Sequence, residues 1–109
     1  MTMPKANRHT IHVDGESFHW IERFEQSSRL TIQHASGQGS CLVVMPLDML
    51  LPGSIANGIR FAIQAGWLPG RPGDNVWLVF QEREPMFRRI PVNSEFRYNQ
   101  DLKRWELPD

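Results

Sequence analysis

Apolar residues recur at three- and four-residue intervals between Pro52 and Trp67, the spacing that places side chains on one stripe of an α-helix. Pro52 suits a first helical position, and Ser54 offers a capping hydroxyl if the helix begins later. Gly66 is placed to end the helix in a left-handed conformation, with Trp67 folding back over Phe61 or Ala62. The predicted apolar stripe consists of Ile55, Ile59, Ala62, Ile63 and Gly66.

The N-terminal part of the chain alternates polar and apolar residues on both sides of Asp14-Gly15. Asp-Gly is a strong signal for a two-residue hairpin loop, because both positions must tolerate a positive φ. In that hairpin Val13 faces Glu16, and Ile11 faces Phe18. The face that we expect in the core carries His9, Ile11, Val13, Phe18 and Trp20.

A second hairpin is predicted around the glycine-containing segment 35–39. A four-residue loop over 36–39 sets the pairing of its two strands. That register gathers one set of side chains on the face that covers the helix, namely Leu30, Ile32, His34, Cys41, Val43 and Met45.

The turn-rich segment 68–75 precedes a continuous apolar run at 76–80, which is typical of a buried strand. The whole pattern predicts an α+β fold with an antiparallel sheet of about five strands, in the order β-β-β-β-α-β, and one helix packed on one face. We assign residues 1–8 to a flexible N-terminus, 9–80 to the α+β domain and 81–109 to a C-terminal arm.

The arm mixes charged, aromatic and proline residues, so we interpret it as an extension outside the core. Residues 95–107 predict a terminal hairpin, and a short helix over 94–103 is the alternative. The arm interleaves basic and aromatic side chains, which is typical of a contact surface. Its candidate partner-binding residues are Phe87, Arg88, Arg89, Phe96, Arg97, Tyr98 and Trp105.

Several of these positions occur together in one arrangement: His9 to Gly15, Phe18, Trp20, Leu51 to Ile55, Ile59, Ala62, Ala65 to Trp67, Pro69 and Gly73. Over residues 9–80 the chain resembles a family of short uncharacterised bacterial proteins. These begin strand-Asp-Gly-strand and end in a helix closing with Gly-Trp, followed by a last strand. The resemblance implies a bacterial origin and this fold; it brings no established activity and therefore no catalytic residue. The chain departs from the family at Leu51, where Thr is usual, and in the segment after Phe80.

Twelve basic and twelve acidic side chains cancel, so no net field draws the chain to nucleic acid or to an anionic membrane. The single cysteine permits no internal disulfide, and the short apolar runs predict no membrane span and no signal peptide. We expect a cytoplasmic protein. No glycine-rich loop opens a helix, so we predict no nucleotide and no other cofactor.

Two pairs of residues could take part in chemistry: His34 with Cys41 in catalysis, and His12 with His19 in metal binding. Each pair also has a structural interpretation. His34 and Cys41 are cross-strand neighbours in the predicted register, the approach that a thiol nucleophile and its base require. We favour a buried structural cysteine, because the sequence shows no residue that would orient the base and no oxyanion donor. His12 and His19 share the face away from the core, and without accompanying carboxylates they predict no metal site.

The leading hypothesis is a non-catalytic protein-binding or self-associating domain, such as an adaptor or an immunity-like inhibitor, acting through the arm as a homodimer or with a protein partner. The alternative is a small enzyme or ligand-binding domain with a pocket near His34 and Cys41. A second alternative is weak nucleic-acid binding by the arm, which neighbouring acidic side chains oppose.

Overall fold

A computed structural model of the protein describes residues 8–24 and 28–106. Residues 1–7, which make up most of the predicted flexible N-terminus, lie outside this range. The fold class is α+β, as predicted, with one helix and a six-stranded mixed sheet within the described residues. The elements are β1 (His9–Val13), β2 (Glu16–Phe24), β3 (Ser28–His34), β4 (Leu42–Pro46), α1 (Pro52–Gln64), β5 (Val76–Phe80), β6 (Phe87–Ile90), β7 (Arg97–Asn99) and β8 (Arg104–Glu106).

The large sheet has the strand order β1-β2-β3-β4-β5-β6, and β7 and β8 form a separate two-stranded sheet. The predicted sheet, antiparallel with about five strands, differs from the observed sheet in two respects. First, β5 lies parallel to β4, because the connection through α1 carries the chain back along the sheet. Second, the sheet continues past Phe80, since β6 pairs with β5 in antiparallel orientation.

The first hairpin has the predicted register, with Val13 opposite Glu16 and Ile11 opposite Phe18. Asp14 and Gly15 both have positive φ, at 51° and 84°, as the two-residue turn requires. Local turn chemistry therefore specifies the alternation of this hairpin, and Val13 and Phe18 are both buried in the core.

The second hairpin differs from the prediction by one residue. Ile32 is opposite Leu42, so Leu42 and Val44, and not Cys41 and Val43, share the helix-covered core with Ile32. The loop between the strands is held from outside: the N–H of Cys41 donates to Asn75 Oδ1 at 2.8 Å. This bond to a distant segment lengthens the loop and delays the start of β4 to Leu42.

Helix α1 ends as the sequence predicts. The N–H of Trp67 donates to Ala62 O at 2.9 Å and that of Gly66 to Ile63 O at 3.1 Å, the bond pattern of a Schellman motif. Gly66 adopts φ 109°. The stripe is narrower than predicted, because Ile63 is exposed. At the other end Pro52 begins the helix without a side-chain cap.

A second apolar cluster lies on the sheet face away from the helix. It consists of Val43, Met45, Trp77, Val79, Ile90 and Phe96. Phe96, from the predicted arm, packs into this cluster, and the Arg29 guanidinium lies 5.3 Å from the centre of the Trp77 ring. The segment after residue 80 is therefore not wholly outside the core: it supplies a strand and two buried aromatic residues, Phe87 and Phe96.

Residues 97–106 form a hairpin, in which Tyr98 is opposite Trp105, and not the alternative helix. No helix in the described ranges has the length and apolar composition needed to cross a membrane.

Candidate functional site

The carboxyl ends of the parallel strands β4 and β5 meet at a cleft of about 730 Å³. Clefts at this end of parallel strands are common binding positions, because the loops that follow the strands diverge there. The loop after β4, the loop after β5 and the strand β8 line the cleft. The lining residues are Leu47, Asp48, Gln81, Glu82, Arg83, Arg104 and Glu106.

Hydrogen bonds tie the two loops together. The N–H of Leu47 donates to Phe80 O at 2.8 Å, which extends the β4–β5 pairing by one step. The carboxylate of Asp48 accepts from the Glu82 N–H at 2.8 Å. The side chain of Gln81 donates to a backbone carbonyl within its own loop. Hydrogen bonds therefore connect the loop after β4 to the loop after β5, and Asp48 has a structural role in this connection.

The hairpin side of the cleft is held by one carboxylate. Glu106 accepts from Asn99 Nδ2 at 3.2 Å and from Arg104 Nε at 3.0 Å. These hydrogen bonds, the one from Asn99 first, lower the pKa of the Glu106 carboxyl below its usual value. Glu106 is therefore ionised at neutral pH, which does not suit a general acid or base working near that pH.

Two charged side chains in the cleft remain open to a ligand. Glu82 uses its backbone N–H in the bond to Asp48, and its carboxylate has no ion-pair partner among residues 8–24 and 28–106. The same holds for the Arg83 guanidinium within those ranges. The cleft thus offers one negative and one positive group on adjacent residues.

An exposed apolar segment follows β4, and its first residue, Leu47, lines the cleft. Leu47, Met49 and Leu51 are 37%, 75% and 59% exposed, so three of the five residues in segment 47–51 expose large apolar side chains. The segment leaves β4 before α1 begins, and neither element covers it. We call Leu47, Met49 and Leu51 the apolar rim. Our sequence interpretation missed it, although an apolar run between a strand and a helix proline was the available signal.

The predicted arm residues do not form one surface. Phe87 and Phe96 are buried in different clusters and are unavailable for base stacking or for a partner. Arg88, Arg97 and Tyr98 are exposed.

The remaining basic candidate, Arg89, is committed to the fold, because its guanidinium donates to Ala65 O at 3.1 Å at the end of α1. Trp105 is opposite Tyr98 in the hairpin, and its side chain is not among those described.

The predicted His34–Cys41 pair does not form, because the shifted register places the two residues on opposite faces of the sheet. His34 instead bonds Glu16 Oε2 through Nε2 at 2.7 Å and Ser36 Oγ through Nδ1 at 2.9 Å. The Ser36 hydroxyl also accepts from the backbone of its own turn, so this network holds the loop against β2. Burial raises the pKa of the Cys41 thiol, the opposite of what a nucleophilic cysteine requires.

Two histidines of the first hairpin form hydrogen bonds with neighbouring side chains. His12 bonds Ser17 at 2.8 Å, and His19 bonds Thr10 at 3.1 Å. Desolvation, followed by the charge of Arg8, lowers the pKa of His19. In the described part of the chain no three metal-ligating side chains converge.

No family model, curated protein or solved structure matches the chain. The resemblance to short bacterial proteins stays a prediction. The features that bear on function are the geometry of the cleft, its charges and its apolar rim.

Proposed function

We propose that the chain is a non-catalytic domain that binds another protein, and that the partner docks on the apolar rim and the adjoining cleft. The observation that carries the proposal is the exposure of three large apolar side chains, Leu47, Met49 and Leu51, beside a charged cleft. Several large exposed apolar side chains close together in the chain, next to polar groups, are typical of protein-interaction sites.

The energy available at the rim is sufficient for an anchor. Fully burying a Leu or Met side chain contributes about 1.5–3 kcal/mol, so burying the exposed parts of these three side chains supplies about 3–5 kcal/mol. Glu82 and Arg83 then select the orientation of the partner, since complementary charges add specificity more than affinity. A partner with an apolar segment flanked by one basic and one acidic side chain fits both features.

The polar groups of the cleft favour binding over catalysis. Asp48 and Glu106 already accept hydrogen bonds that hold the loops and the hairpin in place. The pKa of Glu106 is lowered, so this carboxyl lacks the raised pKa of an acid catalyst. Both carboxylates therefore have a structural role at the cleft.

Site-specific photocrosslinking in the producing cells tests the proposal. Met49 is replaced by a photocrosslinking amino acid, and the matched control carries it at Leu68, which is 53% exposed. Leu68 follows the opposite end of α1, a helix of 13 residues that is about 20 Å long. We expect one discrete adduct with another protein at position 49, absent at position 68, and lost when Leu47→Ser and Leu51→Ser are added.

Two results contradict the proposal. One is an adduct yield at position 49 no higher than at position 68. The other is an adduct whose mass equals two copies of the 12.7 kDa chain, which would show that the rim contacts itself. As a control, circular dichroism of each variant checks whether the fold is retained.

A further inference from the structure

Strand β1 is an edge of the six-stranded sheet. Val13 and Glu16 flank the two-residue loop, so they form a hydrogen-bonded pair. Hydrogen-bonded pairs alternate along an antiparallel ladder, so Ile11 with Phe18 and His9 with Trp20 are hydrogen-bonded pairs as well. The N–H and C=O groups of Thr10 and His12 consequently point away from β2. No strand within residues 8–24 and 28–106 pairs with this side of β1.

The two edges of the sheet differ in their protection. Edge strands are usually blocked by Pro, by charged side chains or by bulges. β6 carries Arg88 and Arg89 and is followed directly by Pro91. β1 has neither proline nor a formally charged Lys, Arg, Asp or Glu between His9 and Val13. The unprotected edge is therefore suited to receive another strand.

We propose that β1 pairs in antiparallel orientation with β1 of a second copy of this chain, about a two-fold axis at Ile11. This register pairs all five residues of the strand. Thr10 lies opposite His12 of the second copy, so the outward-pointing backbone groups of both meet and form hydrogen bonds. Ile11 lies opposite its own equivalent on the helix-covered face, and the two sheets join into one.

The charges at the ends of the strand favour this register. Arg8 precedes β1 and Asp14 follows it, and pairing centred on Ile11 places Arg8 opposite Asp14 of the second copy at both ends. The Asp14 carboxylate accepts from Arg60 at 3.1 and 3.3 Å and is largely exposed, which leaves room for a second guanidinium. If the register shifts by two residues in either direction, Arg8 no longer faces Asp14, and two residues at one end of each strand lose their partners.

The interface is small, because it consists of one five-residue strand and its flanks. We expect a transient dimer with a Kd on the order of 100 μM. The apolar rim lies beyond the carboxyl end of β4, three strands away in the sheet, so dimerisation leaves both clefts open. The inference does not depend on the proposed function.

Analytical ultracentrifugation of the full chain, from about 10 μM to about 1 mM, measures the dimer. Because Thr10 is opposite His12 of the second copy, Thr10→Lys with His12→Lys sets like charges against each other twice. We expect Kd to rise about tenfold or more. Thr10→Lys with His12→Glu sets opposite charges in the same places and restores Kd to within about threefold of the native value.

Cysteine pairing tests the register independently. In a Cys41→Ser background, Ile11→Cys faces its own equivalent at a Cα separation of about 4.5 Å, within disulfide range, whereas Thr10→Cys does not. We expect oxidation to give a covalent dimer for the first variant only. Each variant's thermal unfolding shows whether it folds.

Three results overturn the proposal. The first is a native chain that stays monomeric at every concentration. The second is a dimer equally affected by the Lys/Lys and Lys/Glu variants. The third is equal oxidation at positions 10 and 11. Variants of the apolar rim leave the dimer unchanged if the proposal is correct, so the two interactions are separable.

Discussion

Gly58 lies in the middle of α1, where a glycine weakens a helix, and the structure explains its presence. A Cβ at this position would stand 2.9 Å from Phe87 Cε1 and 3.2 Å from Cζ. The Phe87 ring is itself packed against Phe61 and Phe80, with ring centres 5.9 and 5.2 Å away. We therefore predict that Gly58→Ala destabilises the protein although alanine is the better helix former.

The magnitude follows from two opposing terms. Replacing glycine by alanine within a helix stabilises it by about 1 kcal/mol. Forcing a methyl group into a packed core costs about 1–3 kcal/mol, and the Phe87 ring would have to shift against Phe61 and Phe80 to admit it. With about 2 kcal/mol for the strain, the net loss is about 1 kcal/mol, or roughly 4 °C in Tm for a domain of this size.

Phe87→Leu reverses the sign. Leucine lacks the ring atoms that the new methyl group would meet, so Gly58→Ala in this background should stabilise the protein by about 1 kcal/mol. The cost of Phe87→Leu itself cancels in a double-mutant cycle, which leaves a coupling of about 2 kcal/mol between the two sites.

Urea unfolding of the four chains measures the cycle, and Gly53→Ala in the first turn of the same helix is the matched control. A Cβ at Gly53 meets nothing within 4 Å, so we expect no destabilisation there. If Gly58→Ala stabilises the native chain, or if its effect is the same with Phe87 and with leucine, the reasoning is refuted.

Three further predictions concern the loop between β3 and β4. Gly39→Ala should lower the free energy of unfolding by about 3 kcal/mol, because Gly39 has φ 87° and its Cβ would lie 2.6 Å from the backbone N of Arg71. Gly15→Ala should cost only about 1 kcal/mol, because Gly15 has a similar φ of 84° but open space around its Cβ. Urea unfolding of both variants checks this difference. Ser40→Ala should cost about 1–3 kcal/mol by leaving the buried Trp67 Nε1 without its acceptor, and Ser40→Thr, which keeps a hydroxyl, should cost less; equal losses would contradict this. Cys41 should react with iodoacetamide more slowly than free cysteine from about pH 7 to about pH 9, and any faster rate would contradict the raised pKa. Because the folded-state pKa of Cys41 is raised, the stability that it contributes is fully present below the unfolded pKa and is lost as the pH rises through the folded value.

The sequence alone determined the elements that depend on neighbouring residues. Asp14-Gly15 specified the first hairpin to the residue, because a two-residue turn with two positive φ values allows one register. Gly66 and Trp67 specified the end of the helix in the same way, through bonds that span no more than five residues. These predictions required no knowledge of the rest of the fold.

Only the tertiary structure decided how distant segments meet. The register of β3 and β4 depends on bonds from Cys41 and Ser40 to the segment after the helix, more than 30 residues away, and a one-residue error there moved Cys41 to the other face. The sequence predicted that Phe87 and Phe96 belong to an arm outside the core, because short apolar runs among charged residues carry no periodic signal. In the structure Phe87 packs in the helix-covered core and Phe96 packs in the cluster on the other face of the sheet. The cleft has the same origin: its lining comes from three segments far apart in the chain, and the parallel pairing of β4 with β5, which local sequence does not encode, brings two of them together.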